Sequence, residues 1–271
     1  MSALASCRSR IRPGLPELYA GIPISGLRLE PIRDDTFPMG NSNQAKGKRQ
    51  GKLSRTCLPN EVHIYLFRLG EPAEGCLNPT LSSEECVRAG RFVEKRDRDL
   101  FITAHSALRV VLSGYTHQDP ASLEFRANMQ GKPSLLGGEI QFNMSHSYDA
   151  VAIAVSRDVV GIDIEYIRPG LYDESLSKSL LAPCEREWLQ DQKDVNVAFH
   201  RIWTLKEAGT KADGRGLSLD CASVAAIPCG IEEISPVAIC STTWWGIELS
   251  SPADFCLSVV TRQRSPVFIR Y

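Results

Sequence analysis

Gly161-Ile162-Asp163-Ile164-Glu165 alternates apolar and acidic residues. That is the pattern of a strand with one face in a core and two carboxylates on the other. Like charges side by side are unfavourable unless something positive sits between them, and a divalent cation meets that need. Further on, Trp203-Thr204-Leu205-Lys206-Glu207-Ala208-Gly209-Thr210-Lys211 reads as a helix. Trp203, Glu207 and Lys211 are spaced four apart and stack along one side. Phe199, Ile202 and Leu205 lie nearer the other side and suit a core. If strand and helix face each other, Asp163, Glu165 and Glu207 can share one cation, with Lys211 beside it as a point charge. Mg²⁺ suits such a site, because it takes a few carboxylates, keeps several waters and accepts substrate phosphate oxygens. Taken singly, the two segments also fit a solvated acidic face and a surface ion pair worth a few tenths of a kcal/mol.

Outward from this pair, element signals repeat. Val62 to Phe67 alternates as a strand, and Ser82 or Ser83 caps a helix running to about Leu112, with a break inside it and Gly114 as its stop. A short strand at 123–125 precedes the loop Gly131-Lys132-Pro133, since Pro133 has no place inside a central strand. Strands at 140–142 and 150–155 flank a polar loop, 143–149. The second half begins with a strand at 159–166. Helices follow near 173–181, 184–191 and 195–212, with Gly214 as C-cap. Strands at 221–227, 243–249 and 255–261 complete it. Each half runs strand, helices, strands. The expected fold is α+β: two similar lobes, 61–156 and 157–271, packed side by side with the metal site in the second.

Composition sets outer limits. The 271 residues are 43% hydrophobic and 23% charged, ordinary for a globular protein. No apolar run approaches the ~20 residues of a membrane span, and a net charge of −1 gives no field for nucleic acid. Residues 1–60 hold ten Lys/Arg against four Asp/Glu and read as a disordered basic extension; an Arg-rich, acid-poor start also fits an organelle transit peptide. None of the nine cysteines forms a C-x-x-C pair. Free thiols in a reducing, cytoplasmic compartment are expected.

Three motifs in order carry a resemblance: G-K-P with F-N-x-S-H-S (131–133, 142–147), G-I-D-I-E (161–165), and W-x-x-K-E-A-x-x-K-x-x-G-x-G-L (203–217). Arg88-Ala89-Gly90-Arg91-Phe92 and Leu108-Arg109 add to it. The chain resembles the 4′-phosphopantetheinyl transferases of the larger, two-lobed (Sfp-type) kind over roughly residues 62–261. The resemblance implies that family's fold, with a pseudo-two-fold arrangement of lobes. It implies Asp163, Glu165 and Glu207 as Mg²⁺ ligands, Glu207 as candidate base, and Lys211 near the coenzyme A phosphates. It implies Ser145 and His146, with Asn143 and Met144 beside them, at the 3′-phosphoadenosine end. Lys132 matches a basic position near the nucleotide, and Arg88 a coenzyme A contact from the first lobe. Trp203 and Lys206 look like support. Two departures stand out. Gly209 costs the helix up to ~1 kcal/mol and leaves a gap near the cofactor arm, and Asp213 stands where a small or apolar residue is common.

The implied reaction is holo-[acyl-carrier-protein] synthase chemistry. Phosphopantetheine passes from coenzyme A to a serine of an apo acyl or peptidyl carrier protein, and adenosine 3′,5′-bisphosphate leaves. A monomer suffices, with no membrane or nucleic-acid partner. The alternatives are a metal-dependent phosphohydrolase acting on a nucleotide or coenzyme A, and a non-catalytic coenzyme A or carrier-binding protein. The resemblance implies carrier activation for fatty-acid, polyketide or nonribosomal-peptide biosynthesis.

Overall fold

The computed structural model describes residues 11–13, 30–31, 55–68 and 80–271. One sheet holds, in order, β1 (Ile11–Pro13), β13 (Val267–Arg270), β3 (Glu61–Arg68), β7 (Ala150–Ser156) and β6 (Gln141–Ser147), with β2 (Glu30–Pro31) pairing the far end of β3. The other holds β8 (Val160–Tyr166), β12 (Phe255–Thr261), β11 (Thr242–Leu249), β10 (Ile234–Ile239) and β9 (Val224–Ala226). A separate hairpin pairs β4 (Phe125–Ala127) with β5 (Pro133–Leu135). Helices α1 (Ser83–Ala89) and α2 (Lys95–Thr116) follow β3; α3 (Glu174–Leu180), α4 (Pro183–Gln190) and α5 (Val195–Asp213) follow β8.

Alternation along Ala150-Val151-Ala152-Ile153-Ala154-Val155 sets the layering. Val151, Ile153 and Val155 join Ala104, Leu108 and Val111 of α2 in one core. Ala150, Ala152 and Ala154 face the other way, with Val62, Ile64 and Leu66, onto Ile162, Ile164, Leu257 and Val259 of the second sheet. Over these residues the two sheets pack face to face, and the small alanines let them close. On the far side, Leu205, Ala208 and Ala212 of α5 pack on Val224, Val237 and Val260. The order of layers is α2, sheet, sheet, α5.

The protein is a mixed α+β structure, as the periodicities require; β3 pairs β7, which pairs β6, and β8 pairs β12, which pairs β11. The capping box at Ser82 and Glu85 forms, and Gly214 ends α5 in the left-handed conformation at φ 85°.

Several local expectations give way. Residues 143–147 are strand, not loop, because their main chain pairs with β7 as far as Ser147, opposite Ala150. Gly114 does not stop α2: the Arg55 side chain lies where its Cβ would stand, and Arg55 N–H donates to Gly114 O at 2.9 Å. The helix ends at Thr116 instead. β10 contains Pro236, tolerated because β9 pairs only residues 237–239. β13 leaves the second half and lies parallel to β3. Within the extension expected to be disordered, residues 11–13 and 30–31 add to the first sheet; most of the rest lies outside the described residues. Gly209 faces Val224, Val237 and Ile239, so it leaves no gap near a cofactor; it lets α5 settle on the sheet.

One fully buried ion pair fastens α5. Lys206 Nζ donates to both Glu185 oxygens at 3.0 and 2.7 Å and also to Val224 O. Glu185 accepts the N–H groups of Ala182 and Ala226, each at 2.7 Å. Glu185→Gln strands the Lys206 charge and should lower unfolding free energy by about 3–5 kcal/mol in urea denaturation; a loss under ~1 kcal/mol contradicts this role.

Candidate active site

Gly161 sets the approach of helix to strand. A Cβ there would stand 2.0 Å from Ala208 O and 2.4 Å from Ala212 N, so only glycine lets α5 lie this close to β8. Since Ile162 and Ile164 are buried between the sheets, Asp163 and Glu165 point to the α5 side. On α5, Trp203, Glu207 and Lys211 are partly open while Ile202, Leu205, Ala208 and Ala212 are buried.

The edge strands β6 and β8 run in the same direction without main-chain pairing, joined by a ladder of side chains. Asn143 Oδ1 accepts from Ile162 N at 2.9 Å. Ser145 Oγ donates to Asp163 Oδ1 at 2.7 Å. Ser147 Oγ donates to Glu165 at 2.9 Å and accepts from Tyr166 N at 3.1 Å. Lys211 Nζ donates to Ser145 Oγ at 2.9 Å and to Asp163 Oδ1. Ser147 was not among the expected site residues; the spacing Asn143, Ser145, Ser147, read as one strand face, is the signal that finds it.

Asp163 is 2% exposed, and its Oδ2 has no hydrogen-bond partner among the described residues. Burial raises its pKa, opposed by the Lys211 charge and by the bonds from Lys211 and Ser145. Glu165 and Glu207 are raised first by burial and next by the Asp163 charge. Both outer carboxylates thus feel the Asp163 charge and, oppositely, the Lys211 ammonium. An oxygen-donor set with one buried, unpartnered oxygen fits a hard divalent cation such as Mg²⁺. The acids are not gathered around one point. Among the described residues, the trio of donors drawn within 4.8 Å of one another is Cys57, Glu61 and His63, in the other half. Lys211 is the cation seated on Asp163 Oδ1.

The other expected residues divide. His146 stands exposed at the rim; crowding and the charges of Lys211 and His105 lower its pKa. His105 lies against Phe101 (centroids 4.0 Å apart), and Arg88 lies over the same ring at 5.1 Å. Met144 packs against the α2 core, and Asn143 serves the ladder. Lys132 is turned inward: its Nζ donates to Ala212 O at 2.9 Å and Val160 O at 3.2 Å, and burial lowers its pKa to about 8. It pins the β4–β5 hairpin to the end of α5, helped by Asn128 Nδ2 donating to Gly214 O at 2.9 Å. Trp203 lines a cavity of about 230 Å³ that begins at Glu165 and runs past Leu176, Leu180 and Phe199.

The profile of the 4′-phosphopantetheinyl transferase superfamily matches residues 159–260, which include β8 and α5. The chain is 34% identical over 215 residues to the 4′-phosphopantetheinyl transferase HetI of a Nostoc species, covering 76% of this chain and 89% of that one. It is 31% identical over 160 residues to a 4′-phosphopantetheinyl transferase of Bacillus subtilis, covering 58% and 70%. With the transferase Sfp of Bacillus subtilis strain 168 it shares 29% identity over 142 residues, 51% and 62% of the two chains.

Raised carboxyl pKa values give a pH signature. An acid whose folded pKa is raised binds more protons folded than unfolded. Stability therefore falls as pH rises from about 4 through the raised values. A bound divalent cation cancels that fall. The rise in Tm on adding Mg²⁺ should be larger at pH 8 than at pH 5 in scanning fluorimetry, and Glu207→Gln should raise the metal-free Tm while shrinking the Mg²⁺ effect. Equal Mg²⁺ effects at both pH values contradict carboxylate ligation.

Proposed function

The chain belongs to the 4′-phosphopantetheinyl transferase superfamily, and on that premise we propose that it moves phosphopantetheine from coenzyme A to a serine of an apo carrier protein. The carrying observation is the sealed Asp163, one oxygen unpartnered, flanked by the charges of Lys211, Glu165 and Glu207. Asp163, Glu165 and Glu207 would hold Mg²⁺, which when bound neutralises pyrophosphate charge. The two halves would act as a pseudo-two-fold pair around that site, in the Sfp-type manner.

This chain's own groups carry the rest. Arg88 and His146 bind the bisphosphorylated adenosine. Lys211 turns on its flexible stem from Asp163 to the pyrophosphate oxygens. The carrier's serine oxygen attacks the β-phosphorus, the bond from that phosphorus to the bridging oxygen breaks, and adenosine 3′,5′-bisphosphate departs with the electron pair. Glu207 accepts the serine proton; its burial and the neighbouring negative charge make it a better base than an open glutamate. Lys211 offsets charge growing on the leaving phosphate. The cavity beside Trp203 receives the pantetheine arm.

Intact mass of apo carrier domains incubated with protein, coenzyme A and Mg²⁺ should show one added phosphopantetheine. Glu207→Gln should cut the rate by at least ~10² with native circular dichroism. Phosphopantetheine released without any carrier would favour the phosphohydrolase reading, and an active Glu207→Gln enzyme would remove Glu207 from its role.

A further inference from the structure

The transfer reaction leaves one buried, chemistry-bearing cluster unused. Cys57, Glu61 and His63 lie where the chain enters β3, and their donor atoms fall within 4.8 Å of one another. His63 Nε2 is 3.1 Å from Glu61 Oε2. His63 Nδ1 is 2.6 Å from the Tyr115 hydroxyl, which bonds to the hydroxyl of Tyr65, itself held by Arg55. Glu61 Oε2 accepts from Leu58 N at 2.9 Å. The thiol of Cys57 finds only long contacts, at 3.5 Å to Glu61 O, 3.7 Å to Leu58 O and 4.0 Å to Val155 O.

From this arrangement we propose a second metal site, of the Zn²⁺ class, with Cys57 Sγ, Glu61 and His63 Nε2 as ligands and a fourth position open. Zinc bonds of about 2.0–2.3 Å put tetrahedral donors roughly 3.3–3.6 Å apart, so ligation asks for movements of about an ångström. Tyr115 on Nδ1 holds the ring so that Nε2 lies on the Glu61 side, and by accepting from Nδ1–H it would act as the outer-sphere partner of a metal-bound histidine. A thiolate and a carboxylate match the dication's charge, where a hard-ion site would hold oxygens alone. On binding, the Cys57 thiol releases its proton to solvent as the Zn–S bond forms. A cavity of about 350 Å³ lined by Cys57, Arg55, Tyr115, Leu135 and Arg157 reaches the cysteine side of the cluster. The site stands independently of the transferase reading, since none of its residues serves that reaction.

The test uses the full chain carrying Glu207→Gln, stripped of metal and titrated with Co²⁺ in excess Mg²⁺. One equivalent should bind with a thiolate-to-cobalt charge-transfer band in the near ultraviolet that Zn²⁺ displaces. Cys57→Ser should abolish the band. Tyr115→Phe, which keeps all three ligands, should weaken Zn²⁺ binding by about 10–100-fold in calorimetry. A natively folded parent with no such band overturns the site, and so does a band that survives Cys57→Ser. If Cys57→Ser fails to fold, Glu61→Gln replaces it, and undiminished Zn²⁺ affinity in that variant overturns the site.

Discussion

A carboxylate closed off from water and left with an unpartnered oxygen is the constraint on which the rest of this molecule turns. Asp163 is held by Ser145 and Lys211 on Oδ1 alone. Burying a charge costs several kcal/mol unless it is paired and fully hydrogen-bonded. The fold maintains that cost with some care. Glycine at 161 brings α5 against β8, the Lys206–Glu185 pair anchors the same helix at its other side, and Lys132 and Asn128 pin its end. A site built only for stability would place an apolar residue at 163.

The junction of the two sheets supplies the second half of that arrangement. β6 and β8 are edge strands, and exposed edges invite pairing with other chains. Here the edges cover each other through side chains rather than through a main-chain ladder. Asn143 and Ser147 satisfy amides of β8, while Ser145 and Ser147 bond its carboxylates. One row of small polar residues therefore closes the sandwich and orients two acids. The last strand, β13, crosses back to β3 and Tyr271 stacks on Tyr65 with ring centroids 4.7 Å apart, so the chain's end ties the second half to the first sheet.

Much of this was legible in the residues. Alternation in 161–165 and four-residue spacing in 203–211 identified β8, α5 and the faces they present. The capping box at Ser82 and the C-cap at Gly214 located two helix ends. What was hidden depends on partners distant in sequence. The polar face of 143–147 looked like loop because its counterpart is another sheet's edge. Gly114 looked like a stop until Arg55 packed on it. Pro236 and β13 were missed because the pairing of neighbours, not local propensity, makes them strands. The family resemblance sets Lys132 near the nucleotide; its hydrogen bonds to the carbonyls of Val160 and Ala212, distant in sequence, could not be read from the turn.

The most direct check of the central claim is an anomalous difference map from crystals grown with Mn²⁺ and coenzyme A. The account predicts one strong peak bonded to Asp163 Oδ2 and to carboxylate oxygens of Glu165 and Glu207, with the Lys211 ammonium moved off Asp163 onto a phosphate oxygen. A metal bound to the nucleotide alone, with Lys211 still seated on Asp163, would contradict it.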